Sequence, residues 1–87
     1  MNLNEVEKLI TEVTEMIKNK ARYISQEEDY YKFLLAEKEL EHLKEYLKIL
    51  KQLQKKLQSM ERINIKEYEE KITEIRKTVD IYYRGDE

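Results

Sequence analysis

The only histidine of the chain lies in Glu39-Leu40-Glu41-His42, where Glu39 and His42 have the Glu-x-x-His spacing of di-iron carboxylate bundles. One helical turn brings this carboxylate and this imidazole to the same side, where both could bind a metal ion, and a homodimer would supply two such pairs. The apolar positions of the segment, however, are Leu40 and Leu43, which leaves Glu39 and His42 on the flank of the helix. A ferritin-like metal-binding bundle is therefore the third alternative for function, and no cofactor is expected.

Four lysines with a 4-3-4 spacing share one face of the same predicted helix, and we call Lys44, Lys48, Lys51 and Lys55 the lysine stripe. Such a face could contact the phosphates of nucleic acid, or it could resemble a basic membrane-surface or calmodulin-target helix. More often it is simply a solvated face opposite an apolar one. The net charge of −2 gives no overall attraction to polyanions. Nucleic-acid binding is the alternative function, and no membrane partner is expected.

Aromatic residues are paired near two predicted helix ends, at Tyr30-Tyr31 close to Phe33 and at Tyr82-Tyr83. Bases can stack on such rings, and protein partners favour tyrosine as an anchor. We predict that Phe33 and Tyr82 belong to the core, while Tyr31 and Tyr83 are half-exposed contact residues for a partner.

The composition excludes most catalytic sites. The chain has one glycine, no proline and no cysteine, so a glycine-rich phosphate loop and a cysteine nucleophile or disulfide framework are ruled out. No nucleophile–base arrangement and no paired-carboxylate cleft stands out, so we expect no enzyme. No apolar run is long enough to cross a bilayer and no signal peptide is visible, so we expect a soluble, cytoplasmic protein.

The fold prediction rests on apolar residues that recur three and four positions apart in a chain that is 41% charged. We predict a single all-α domain over residues 1–87, with helices at about 3–22, 26–61 and 65–84. Ser25 and Glu28 have the spacing of a capping box for the long central helix, as do Asn64 and Glu67 for the third helix. The predicted core consists of Val6, Ile10, Val13, Ile17, Phe33, Leu40, Leu43, Leu47, Leu50, Leu57, Ile72, Ile75 and Val79.

Short turns between these helices predict an antiparallel, coiled-coil-like arrangement. Helices of about 20, 36 and 20 residues would place the first and third helices at opposite ends of the second, so that they barely overlap. The segment 30–36 is nevertheless apolar on nearly all sides. We therefore predict a homodimer that forms a helical bundle, with the second helix antiparallel to its mate and with Tyr30, Phe33, Leu34 and Leu35 in the interface.

The long second helix also has a polarity of charge that fits antiparallel pairing. Acidic residues predominate over 26–45 and basic residues over 46–62, although the same polarity could instead serve contacts within the chain. The leading functional hypothesis is a non-enzymatic protein–protein interaction module, an adaptor or small regulatory subunit. It would act as a homodimer and bind a protein partner that the sequence does not identify.

Overall fold

The computed structural model describes residues 2–60 and 62–85. Their regular structure consists of three α-helices, α1 (Leu3–Gln26), α2 (Tyr30–Gln58) and α3 (Ile65–Arg84), arranged in a body of 47 × 26 × 19 Å. The all-α prediction is confirmed. Position 61, the predicted last residue of the second helix, lies outside the described residues.

Helix α1 begins at Leu3, as predicted, and Asn2 is its cap. The Asn2 side-chain oxygen accepts a hydrogen bond of 3.0 Å from the Glu5 amide, which satisfies one of the free donors of the first turn. Glu5 is also the acidic residue of that turn, where the helix dipole favours a negative charge.

The connection between α1 and α2 differs from the prediction. Helix α1 continues to Gln26 rather than ending near residue 22, and Ser25 lies inside it, with its hydroxyl donating to the Arg22 carbonyl at 2.7 Å. The cap of α2 is instead Asp29, whose carboxylate accepts from the amides of Tyr31 and Lys32 at 3.0 and 3.2 Å. Asp29 is the stronger cap because it satisfies two amides and also places a negative charge at the start of the helix.

Helix α2 ends at Gln58, just short of its predicted end. The Ser59 amide and hydroxyl both donate to the Lys55 carbonyl, and Met60 then takes a positive φ of 56°, which takes the chain out of the helix. Asn64 precedes α3, but its side chain makes no capping hydrogen bond, so the predicted capping box with Glu67 is not formed. Gly85 ends α3 with a φ of 81°, a conformation that glycine adopts without steric cost.

The three helices share one core. Seven of the predicted core residues are buried, namely Val6, Val13, Leu43, Leu50, Ile72, Ile75 and Val79. Ile10, Ile17, Leu47 and Leu57 are partly buried and pack against this core, and Phe33 and Leu40 are also half-buried. Five residues outside the predicted core are buried as well, namely Leu9, Met16, Ala36, Leu53 and Tyr68. Tyr82 does not belong to the core, because 43% of it is exposed.

The predicted separation of the first and third helices is wrong. Arg76 of α3 forms an ion pair of 2.7 Å with Glu5 of α1, and the Tyr83 hydroxyl donates to the Glu12 carbonyl at 3.4 Å. The step from Glu5 to Glu12 along α1 equals the step from Arg76 to Tyr83 along α3. Helices α1 and α3 therefore run side by side in the same direction. They overlap because α1 is longer, at 24 residues, and α2 is shorter, at 29 residues, than predicted. The middle of the molecule is therefore three helices thick.

Candidate interaction surface

Large apolar side chains are exposed where α1 meets α2, a region of residues 20–38 that we call the α1–α2 end. Tyr30, Tyr31, Leu34 and Leu35, in the first two turns of α2, are 66%, 82%, 43% and 60% exposed. Tyr23, near the end of α1, is also exposed. Single exposed apolar residues are ordinary in proteins, but a group of them at one end of the molecule is a candidate interaction surface.

The exposure of Tyr31 and Leu35 follows from where α3 ends. The Asn19 side-chain amide donates to the Tyr82 hydroxyl, and α3 stops two residues after Tyr82, at Arg84. Helix α1 extends seven residues beyond Asn19, to Gln26, which is about 10 Å of helix. The α1–α2 end therefore projects past α3. The side of this end that is in line with α3 is left uncovered.

The four residues do not form one face. Tyr31 and Leu35 are four apart and lie on the same side of α2 as Glu39 and His42, which border the end of α3. Tyr30 and Leu34 are also four apart, but each is rotated by about 100° from its neighbour in sequence. The predicted interface residues thus occupy two faces of α2, with the half-buried Phe33 beside Tyr30 and Leu34.

The end of α3 also borders an open cavity of about 300 Å³. Ile81 and Tyr82 of α3 form one wall, Lys20 of α1 another, and Glu39 and His42 of α2 a third. The Lys20 ammonium lies 2.9 Å from the Glu39 carboxylate and bridges α1 to α2 across the cavity. Ile81 is 48% exposed and was not among the predicted contact residues, although its position outside the apolar stripe of α3 indicates exposure.

The metal hypothesis gains no support from these contacts. The Glu39 carboxylate already has a lysine partner, and His42 is exposed on the neighbouring turn. Across residues 2–60 and 62–85, no three His, Asp or Glu side chains converge as the ligands of a metal ion would.

The lysine stripe lies on an exposed face of α2, as its spacing predicts. Lys44, Lys48, Lys51 and Lys55 are all exposed, and they line one shallow depression together with Leu47 and Gln52. None of the four forms an ion pair with another residue in the described part of the chain. The stripe is therefore a row of four exposed lysines that form no ion pair among the described residues, with the apolar Leu47 beside them.

The two tyrosines predicted as contact residues have different environments. Tyr31 is the more exposed, with no hydrogen bond from its hydroxyl among the described residues. Tyr83 is half exposed, but its hydroxyl is held by α1, and partial burial raises the pKa of that phenol. Tyr83 thus contributes to the packing of α3 on α1, whereas Tyr31 is free to contact another molecule.

A further tyrosine lies at the end of α1. A hydrogen bond with the Glu27 carboxylate raises the pKa of Tyr23 and lowers that of Glu27, which also accepts from the Asp29 amide at 3.0 Å. The connection at the α1–α2 end is therefore ordered by side-chain hydrogen bonds, so this end offers a preformed surface.

Comparison of the chain with protein-family models, with curated proteins and with solved structures gave no match. Within residues 2–60 and 62–85, no helix has the length and apolar content that crossing a membrane requires.

Proposed function

We propose that the protein is a non-enzymatic helical interaction module, an adaptor or small regulatory subunit, that acts as a homodimer. The observation that carries this proposal is the apolar group at the α1–α2 end, where Tyr30, Tyr31, Leu34 and Leu35 remain exposed within the described part of the chain. Burying a leucine or aromatic side chain fully is worth roughly 1.5–3 kcal/mol, so covering several of them is a substantial driving force for association.

The proposal includes an antiparallel, coiled-coil-like arrangement of the helices. Two features support it: the connection between α1 and α2 is only three residues long, and α1 and α3 run in the same direction against α2. A second copy would complete a four-helix cross-section at the α1–α2 end, where one chain supplies only two helices.

Sedimentation equilibrium of Leu34→Glu and Leu35→Glu tests the proposal, and the two variants report on the two faces separately. We expect a dimer for the unaltered chain at about ten micromolar and above, and a dissociation constant at least about tenfold higher for a variant that places a charge in the interface. Ile65→Glu is the matched control, because Ile65 is also 60% exposed but lies at the start of α3.

Helix content by circular dichroism should be the same in all three variants, because every altered side chain is exposed. A monomer at tens of micromolar for the unaltered chain would refute the homodimer. An equal effect of Ile65→Glu and Leu34→Glu would show that association does not depend on the α1–α2 end.

Nucleic-acid binding is the second candidate function, and the exposed, unpaired lysine stripe favours it. Titration with duplex and single-stranded DNA at two salt concentrations separates it from the leading proposal. Binding through phosphates must weaken steeply with salt, because each contact releases condensed counterions. Absence of binding at low salt would eliminate this candidate.

A further inference from the structure

The outer face of α2 carries an ordered sequence of charges in two rows of residues spaced seven apart. One row is Leu34, Glu41, Lys48 and Lys55, and the other is Tyr30, Glu37, Lys44 and Lys51. A seven-residue step returns to nearly the same side of a helix, so both rows lie along one face about 37 Å long. All eight residues are exposed. Each row is apolar at its start, acidic next and basic in its second half.

Among the described residues, these charges form no ion pair within the chain. The ion pairs that join helices in the described part of the chain are Lys20 with Glu39 and Arg76 with Glu5, and neither involves this face. Glu37 and Glu41 have no basic partner there, and the lysine stripe has no acidic one. On this face, the charge polarity of α2 therefore does not serve contacts between helices of the same chain.

We infer that this face binds the same face of a second copy, with the two α2 helices antiparallel about a twofold axis near Lys44 and Glu45. This inference rests on the proposed homodimer and specifies its interface. In this register Glu41 lies opposite Lys48 of the second copy and Glu37 lies opposite Lys51, and symmetry repeats each pair. A parallel arrangement would instead bring glutamate against glutamate and lysine against lysine, which is unfavourable.

The apolar starts of the two rows fit the same register. Leu34 lies opposite Lys55 of the second copy, whose aliphatic stem can cover a leucine while its ammonium remains in water. Tyr30 lies opposite the last turn of the second copy's α2, near the exposed Met60. The apolar contacts thus flank the charged centre at both ends, while Leu35 and Tyr31 stay outside this interface.

Charge reversal tests the register directly. One variant is Glu37→Lys with Glu41→Lys, and the other is Lys48→Glu with Lys51→Glu. In each variant alone the residues at positions 37, 41, 48 and 51 share one sign of charge, so the paired positions repel each other and each variant should dimerise at least about tenfold more weakly than the unaltered chain at low salt. An equimolar mixture should associate again, because positions 37, 41, 48 and 51 of one chain then meet residues of opposite charge on the other chain.

Sedimentation velocity at low and at high salt, with circular dichroism to verify folding, measures these outcomes. Restored association in the mixture supports the register, and its loss at high salt supports the ionic contribution. If Leu34→Glu or Leu35→Glu weakens the dimer while both charge variants dimerise normally, the inference is wrong and the proposed homodimer stands. Salt-dependent binding of duplex DNA that the Lys48→Glu, Lys51→Glu variant loses, with unchanged dimerisation, would also overturn the inference and assign the stripe to phosphate.

Discussion

Tyr46 connects α2 to α3 through a single hydroxyl group. It donates to the Glu74 carboxylate at 3.0 Å, and it lies half-buried between the two helices. Burial is the main cause that raises the pKa of Tyr46 above its ordinary value of 10.0, and the Glu74 carboxylate raises it further, while a hydrogen bond with Thr78 acts in the opposite direction. The neutral phenol is therefore favoured in the folded state relative to the unfolded one.

The stability that this phenol contributes is fully present below the ordinary tyrosine pKa and is lost as the pH rises through the higher folded pKa. We expect Tyr46→Phe to lower the free energy of unfolding by about 0.5–1 kcal/mol at neutral pH, the net value of an ordinary hydrogen bond. Between about pH 8 and about pH 10.5, the free energy of unfolding should fall less for the Tyr46→Phe protein than for the unaltered chain.

Urea unfolding at the two pH values measures both effects, and Tyr31→Phe is the control because it removes a hydroxyl that lies outside the bundle. If the free energy of unfolding falls equally at alkaline pH with and without the Tyr46 hydroxyl, this explanation is wrong.

At the scale of the element, the start of α2 depends on a cap. Two candidates lie four residues apart, and Asp29 forms the capping hydrogen bonds whereas Ser25 bonds to a carbonyl of its own helix. Removing the Asp29 carboxylate leaves two amides without a protein partner, but removing the Ser25 hydroxyl leaves no backbone donor unpaired.

We expect Asp29→Ala to lower the free energy of unfolding by about 1 kcal/mol, within the range of about 0.5–2 measured for such caps. Ser25→Ala should change it by less than about 0.5 kcal/mol, since alanine is the better residue inside a helix. Thermal unfolding, followed by circular dichroism at a concentration where the chain is monomeric, gives both values. A larger loss for Ser25→Ala would place the cap at the residue that the sequence first indicated.

At the scale of the whole molecule, the three helices are stabilised by one shared core. Ile75 of α3 has no exposed surface and belongs to a cluster with Val13 of α1 and Leu50 of α2. The ion pair between Arg76 and Glu5 is half exposed and contributes only about 0–1 kcal/mol. Burial of apolar side chains, rather than surface charge, therefore holds α3 in place.

We expect Ile75→Ala to lower the free energy of unfolding by about 2–5 kcal/mol, because it leaves a cavity where all three helices meet. Ile65→Ala, at a site that is 60% exposed, should cost about 0.5 kcal/mol or less. Urea unfolding monitored by circular dichroism and by tyrosine fluorescence should give coincident transitions, as a single cooperative core requires. Loss of α3 alone in the Ile75→Ala protein would show that the helices do not form one unit.

The sequence by itself determined the helices and most of their inner faces. Periodic apolar residues without an internal glycine or proline indicate helices, and the predicted start at residue 3 and end at residue 84 are the ones observed. The exposed lysine stripe followed from spacing alone, because which side of a helix a residue occupies is a local property.

Only the tertiary structure decided how far the helices overlap. That distance depends on where each helix ends, and the choice between Ser25 and Asp29 as a cap shifts the start of α2 by four residues, or about 6 Å. This shift, with the longer α1, brings α1 and α3 together along α2, which periodicity does not encode. It also leaves Tyr31 and Leu35 uncovered where α3 ends, because burial depends on which neighbour reaches a given level of the bundle.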